Sequence, residues 1–405
     1  MIDQPGAIPH EPFVLVAGLR SNLRGTLVDA IQVGKLYGYQ VQILDVSHLV
    51  EGWSKYPNEW DELGLGQYVT TPRHLRQLSV FFDRVIHTST PVLFLFLPER
   101  RARKIWHAIE RKSRLVGVIT VGPVPGYHEN GTLPVHKKIQ HLLTMARTMV
   151  LSAIKPSPSF WVVAGRSCAD LYRWYFRSVR KTNWIWAHSL DYELYRQASE
   201  QCPRDYHDGT APEKYIVFLD QGWFSKLPVN AVDLRTTGGG RYPPVAYESY
   251  QTQIVKFLRE LGTLTKKEVI VCAHPKSDDK HTQMLYEGFR IERGRSSEFV
   301  RDSAFVVAHS STSIQYAVIE RKPVLLFTNR ELDDSIMRAP FLGYKNELNL
   351  PVVDIGASGS IEPIIADLKA DRVAYERFEE GYIKSQQSEQ GGLWDIVFDQ
   401  VDRSI

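Results

Sequence analysis

Cysteine is scarce: three residues in 405, Cys168, Cys202 and Cys272, scattered without pairing or metal-ligand spacing. That excludes a disulfide scaffold and a zinc ribbon, and it fits buried structural thiols in a reducing compartment. Long apolar runs are also missing. The longest strongly apolar stretch, Val92 to Leu97, falls far short of the ~20 residues a membrane-spanning helix needs. The start, Met1-Ile-Asp-Gln-Pro-Gly-Ala-Ile-Pro-His10, lacks the basic-then-apolar order of a signal peptide, so the expected location is the cytoplasm. A charge excess of one sign is absent as well. Forty-nine Lys+Arg against 46 Asp+Glu leave +3, too even for a dedicated nucleic-acid binder. No internal repeat or low-complexity tract occurs, and neither G-x-G-x-x-G after a strand nor G-x-x-x-x-G-K-[ST] is found, which removes the dinucleotide and P-loop fingerprints.

What is present is a globular composition, 43% hydrophobic and 23% charged, at a length that accommodates two domains. Short apolar runs alternate with amphipathic stretches. Strands are expected at 13–17, 41–46, 92–97, 116–121, 160–164 and 184–187, and helices at 26–37, 73–86, 99–112 and 135–152. Val-Leu-Phe-Leu-Phe-Leu, apolar at every position, reads as a parallel strand covered on both faces. The Pro-, Gly- and Asp-rich stretch from Gln201 to Glu213 reads as a linker. After it the alternation restarts, with strands at 215–219, 268–273, 304–308, 324–328 and 352–355 and helices at 246–261, 297–302, 313–320 and 361–368. The expected fold class is therefore α/β, with two doubly wound Rossmann-like domains at 1–205 and 213–370 facing a central cleft. A charged helical segment follows at 371–405, with Tyr375, Phe378 and Tyr382 available to pack back. In such folds ligands bind at the carboxyl ends of the strands.

Two signals sit at those ends in the second domain. Val269-Ile-Val-Cys-Ala-His-Pro-Lys-Ser277 runs a strand into His274 and Lys276, and Phe305-Val-Val-Ala-His-Ser-Ser-Thr-Ser313 runs the next long strand into Ser310, Ser311 and Thr312 at a helix start. Unpaired amides and the positive end of a helix dipole, joined by hydroxyls and an imidazole, suit a phosphate. Hydroxyls at a helix start also serve as plain N-caps. The occurrence of both signals at neighbouring strand ends favours a nucleotide.

The stretches Tyr215-Ile-Val-Phe-Leu-Asp-Gln221, Val269 to Ser277, Gly294-Arg-Ser-Ser-Glu-Phe-Val-Arg-Asp-Ser303, Ala308-His-Ser-Ser-Thr-Ser-Ile314 and Lys322-Pro-Val-Leu-Leu-Phe327 resemble bacterial surface-carbohydrate glycosyltransferases. More narrowly, they resemble retaining β-Kdo transferases that use CMP-Kdo to build lipopolysaccharide O-antigen or capsule. The likeness is at motif level over about a quarter of the chain. It implies a GT-B architecture, donor nucleotide on the second domain and acceptor sugar on the first. His-Pro and Ser-Ser-Thr are shared with CMP-sialic acid transferases. By this carry-over His274, Lys276, Ser310, Ser311 and Thr312 surround the CMP, with Glu298 a weaker contact to ribose or base.

Asp220, ending the first strand of the second domain, is the candidate nucleophile for a double displacement through a glycosyl-enzyme; a strand-end acid also caps turns. Asp233 is the reserve. The segment from Gln221 to Tyr247 lacks the His-Pro-Asp expected of the family downstream of the aspartate, which weakens Kdo relative to CMP-sugars in general. In the first domain Arg20 and Arg24 follow strand one, where they could meet an anionic acceptor or stay solvated. No metal cofactor is expected, because amides, hydroxyls, His274 and Lys276 can neutralise a leaving phosphate. The partners implied are CMP-Kdo and an oligosaccharide or glycolipid acceptor, no nucleic acid, and a peripheral contact with the inner membrane or other glycan-assembly enzymes; Arg100-Arg-Ala-Arg-Lys104 reads as a solvated face that could also rest against anionic lipid headgroups. The rival readings are an inverting CMP-sialic acid type transferase, a CDP-polyol phosphotransferase, and a catalytically silent sugar-binding module.

Overall fold

The computed structural model describes residues 11–18, 26–51, 59–98, 100–122, 125, 156–173, 175–176, 179, 181–201, 215–222, 247–275, 277–333, 338–357 and 359–404. They form two compact units. The first comprises the described residues up to Leu190 other than Pro125, together with 384–404, and the second comprises Pro125 and the described residues of Asp191–Ile383.

The first unit holds seven strands: β1 (Glu11–Ala17), β2 (Tyr39–Asp45), β3 (Val69–Thr70), β4 (Val92–Phe94), β5 (Val116–Thr120), β6 (Phe160–Val163) and β7 (Asn183–Trp186). Their order is β3-β2-β1-β4-β5-β6-β7, every pair parallel. Successive residues of β1 serve opposite faces: Phe13, Leu15 and Ala17 join one apolar cluster, Val14 and Val16 another. Both faces are covered, the arrangement that an uninterrupted apolar strand requires.

The last helix, Leu393–Asp402, completes the first cluster. Phe398 meets Phe13 at 4.7 Å edge-on and stacks on Tyr39 at 5.7 Å. Gly34, in helix Leu27–Leu36, permits the approach: a Cβ there would lie 2.3 Å from Val41 Cγ2 and 3.0 Å from Phe398 Cζ. The segment expected as one block at 371–405 thus divides. Tyr375 and Phe378 are fully buried in the second unit, while Lys384 onward belongs to the first.

The second unit holds β8 (Tyr215–Leu219), β9 (Glu268–Ala273), β10 (Arg290–Arg293), β11 (Phe305–Ala308), β12 (Val324–Thr328) and β13 (Val352–Asp354), in the order β10-β9-β8-β11-β12-β13, all parallel. β10, Arg-Ile-Glu-Arg, escapes hydropathy reading because it is an edge strand, only half-buried, whose charges guard its open side. Helix Leu190–Gln201 passes into this unit at Asp191, ahead of the stretch read as a linker, because its side chains bond there: Tyr195 Oη donates to Glu320 Oε1 at 2.6 Å. Residues 202–214 and the expected helix 135–152 lie outside the described residues. Among the described residues no helix is long and apolar enough to cross a membrane.

Candidate functional site

In the second sheet the strand order reverses between β8 and β11, which are hydrogen-bonded neighbours with Val307 opposite Phe218. On its other side β8 pairs with β9, Leu219 opposite Cys272. The residues following these three strands, Asp220-Gln221-Gly222, His274 and His309-Ser310, therefore emerge side by side at the switch point where such sheets bind ligands.

Asp220 is buried, 7% exposed, and its amide donates to the Cys272 carbonyl at 3.0 Å. Tyr286 Oη donates to its Oδ1 at 2.9 Å, and Oδ2 is buried. Burial pushes the carboxyl above its ordinary range, against which the Gly222 amide, the Tyr286 hydroxyl, the His274 amide and the Arg293 charge pull it down. Tyr286 is fully buried and hydrogen-bonded in turn to Tyr250, and burial beside the Asp220 charge lifts both phenols well above 10.

Gly222 has φ +66°, and a Cβ there would lie 2.7 Å from Ser277 Oγ and 2.9 Å from His274 Cβ. Only glycine lets the loops after β8 and β9 close to this distance. Arg293, at the end of β10, fixes the β9 loop from below by donating to the His274 carbonyl at 2.6 Å while pairing with Asp279, also at 2.6 Å.

Ser310 is buried, and its hydroxyl lies 2.9 Å from His309 Nδ1. Gln221 bridges from the neighbouring strand: its Nε2 donates to Ser310 Oγ at 3.1 Å and its Oε1 accepts the Ser310 amide at 3.3 Å. These distances are at the long end of the hydrogen-bond range. His309 stacks on Phe341 at 4.8 Å, and burial lowers its pKa to about 3, so the ring is neutral.

The other two hydroxyls of the triplet turn elsewhere. Ser311 Oγ accepts the Ser313 amide at 3.3 Å, a local turn. Thr312 hydrogen-bonds to Asp191, which also bonds Tyr316. Burial pushes the Asp191 carboxyl up to about 6, Thr312 and Tyr316 lowering it in part. The helix that follows runs only from Ile314 to Ile319. Glu298, in the first turn of helix Ser296–Arg301, pairs with Arg295 at 2.6 Å, which holds its carboxyl low.

The structure thus brings Asp220, His274 and Ser310 together, keeps Ser311 in the adjoining turn and commits Thr312 inward. Lys276, Asp233, Arg20 and Arg24 lie outside the described residues. Sequence reasoning missed Gln221, Tyr286, Tyr250 and Asp191. Gln221 was signalled by its place beside Asp220. The two tyrosines and Asp191 carry no local signal, because their partners are 36 to 125 residues away in the chain. Cys168 and Cys272 are buried, and desolvation pushes each thiol up to about 12, as suits structural thiols.

No family model matches this chain, and no curated protein does. Solved structures do. The chain is similar to the glycotransferase of kitacinnamycin, at 12% identity over 97% of this chain and 99% of that one with a TM-score of 0.50. It is similar in the same degree to a structure assigned as a UDP-N-acetylglucosamine 2-epimerase from Listeria monocytogenes, at 10% identity over 98% and 97% with a TM-score of 0.50. At such identities the likeness is one of fold, and the fold is GT-B-like: two parallel-sheet, Rossmann-like α/β domains of seven and six strands.

Proposed function

We propose that the chain is a glycosyltransferase that takes its sugar from a CMP-linked donor, CMP-Kdo in the first instance, and adds it to an oligosaccharide or glycolipid acceptor. The observation that carries this reading is the convergence of Asp220, Gln221, His274 and Ser310 at the β8–β11 switch point. In it the donor phosphate and ribose displace the Gln221 carboxamide from Ser310, with His274, Lys276 and Ser311 as further donors and Thr312 anchored behind them. No metal is required, since these donors can take up the charge on the leaving phosphate.

Asp220 is the reacting carboxylate of the proposal. In double displacement an oxygen of Asp220 bonds to the anomeric carbon while the bond from that carbon to the phosphate oxygen breaks, and CMP departs with the electron pair. The acceptor hydroxyl then bonds to the same carbon, releases its proton to water and frees the carboxylate, with net retention. Asp233 is the second candidate. The inverting alternative uses Asp220 as the base that takes the acceptor proton.

Thermal-shift and calorimetric comparison of CMP, CDP, UMP, UDP and GDP tests the donor class. Selective stabilisation by CMP is expected, and preference for a uridine or guanosine nucleotide, or no binding, refutes the CMP-sugar reading. Intact-mass detection of a sugar adduct on Asp220 with CMP-Kdo then separates retention from inversion.

A further inference from the structure

We propose that Tyr286, with Tyr250 behind it, is the positioning residue of the site: it clamps Oδ1 of Asp220 and so holds the reacting carboxyl ionised and in one orientation. This rests on the reading of Asp220 as the reacting carboxylate, as nucleophile or as base.

A carboxylate has no proton to give, so in the 2.9 Å contact Tyr286 is the donor and Oδ1 the acceptor. The ring cannot turn away. Tyr286 is 0% exposed, sits at the carboxyl end of helix Asp279–Leu285 with its amide bonded to the Thr282 carbonyl at 3.0 Å, and packs edge-on against Phe218 at 5.7 Å. Phe218 is two residues before Asp220 on β8, so the clamp and the clamped group stand on one strand and the helix covering it. Tyr250 reaches the same hydroxyl from helix Tyr247–Thr265.

Both tyrosines lie in the apolar cluster of this unit, among Phe218, Leu258, Val271 and Leu285. For packing alone phenylalanine serves as well, and a buried hydroxyl without a partner destabilises the fold. Two such hydroxyls in sequence lead to one carboxyl that is itself buried. The chemistry needs that carboxyl ionised, and burial opposes ionisation. A donor that cannot leave favours the charged form and fixes the direction in which the second oxygen points.

The test is the pH–rate profile of CMP release from CMP-Kdo for the wild type and for Tyr286→Phe, with Asp220→Asn as control. Losing a hydrogen bond to a charged group changes an ionisation constant by roughly tenfold or more. Tyr286→Phe is therefore expected to move the acidic limb up by about one pH unit, lowering kcat roughly tenfold on that limb, with recovery at high pH and with KM and the CMP thermal shift unchanged. A limb that stays in place overturns the proposal, whether kcat is intact or falls equally at every pH. Tyr250→Phe is expected to move the limb the same way by less, and it decides the matter by the same criterion if Tyr286→Phe does not fold. Normal turnover by Asp220→Asn removes the reading of Asp220 and the proposal with it. An inactive Asp220→Asn beside an unshifted Tyr286→Phe removes the proposal alone.

Discussion

Asp191 carries a stability cost that its neutral isostere does not, and the sign and size follow from its burial. Its carboxyl stands at about 6 in the folded protein against 3.8 for a free aspartate, because the group is removed from water and Thr312 and Tyr316 recover only part of the loss. A raised carboxyl pKa means that the folded state binds a proton the unfolded state has released. The contribution is full below pH 3.8 and is lost as pH rises through about 6. At 1.36 kcal/mol per pH unit the charge costs about 3 kcal/mol at pH 7.5 and less than about 1 kcal/mol at pH 4. Asparagine keeps the shape and one acceptor and never ionises. Guanidinium denaturation of the wild type and Asp191→Asn at both pH values measures this, with the transition of the second unit followed in each. The difference between the two proteins is expected to move by about 2–3 kcal/mol in favour of the variant from pH 4 to pH 7.5. Any constant offset from altered hydrogen bonds cancels in that comparison. A difference independent of pH refutes the argument, showing that Asp191 is either solvated or already neutral at pH 7.5.

His309 pulls in the opposite direction: its pKa is lowered to about 3 by burial, so below pH 6.5 the unfolded state binds a proton the folded state refuses and stability is lost as pH falls. His309→Gln is expected to remove about 2–3 kcal/mol of the acid loss between pH 7 and 4.5, read from urea midpoints along a pH series. Phe398→Ala removes a fully buried ring packed on Phe13 and Tyr39 and is expected to destabilise the first unit by about 3–5 kcal/mol in equilibrium unfolding. A loss below about 1 kcal/mol contradicts the placement of the last helix in the core.

The alternation of apolar runs with amphipathic stretches was enough to read two doubly wound α/β domains, because a strand covered on both faces must be apolar throughout, as β4, β6 and β11 are. The same rule hid β10, whose charges belong to a sheet edge, and β3, only two residues long. Domain membership was less legible. Composition marks where a chain turns polar, not where its side chains bury, so helix Leu190–Gln201 goes with the second unit from Asp191 onward and the tail from Lys384 goes with the first.

At the site, the groups that follow the strands were legible along the chain: a strand end is a local property, and Asp220, His274 and Ser310 could be named from apolar runs and the residues that stop them. Parallel pairing of β8 with both β9 and β11 was decided only by the tertiary structure, and it makes the three neighbours. Which partner each hydroxyl takes was settled the same way. Thr312 is indistinguishable from Ser310 along the chain, yet it turns to Asp191, 121 residues away in the sequence, while Ser310 turns to Gln221. Hydrogen bonds between distant segments depend on how whole helices and strands pack, and no residue carries a record of its partner.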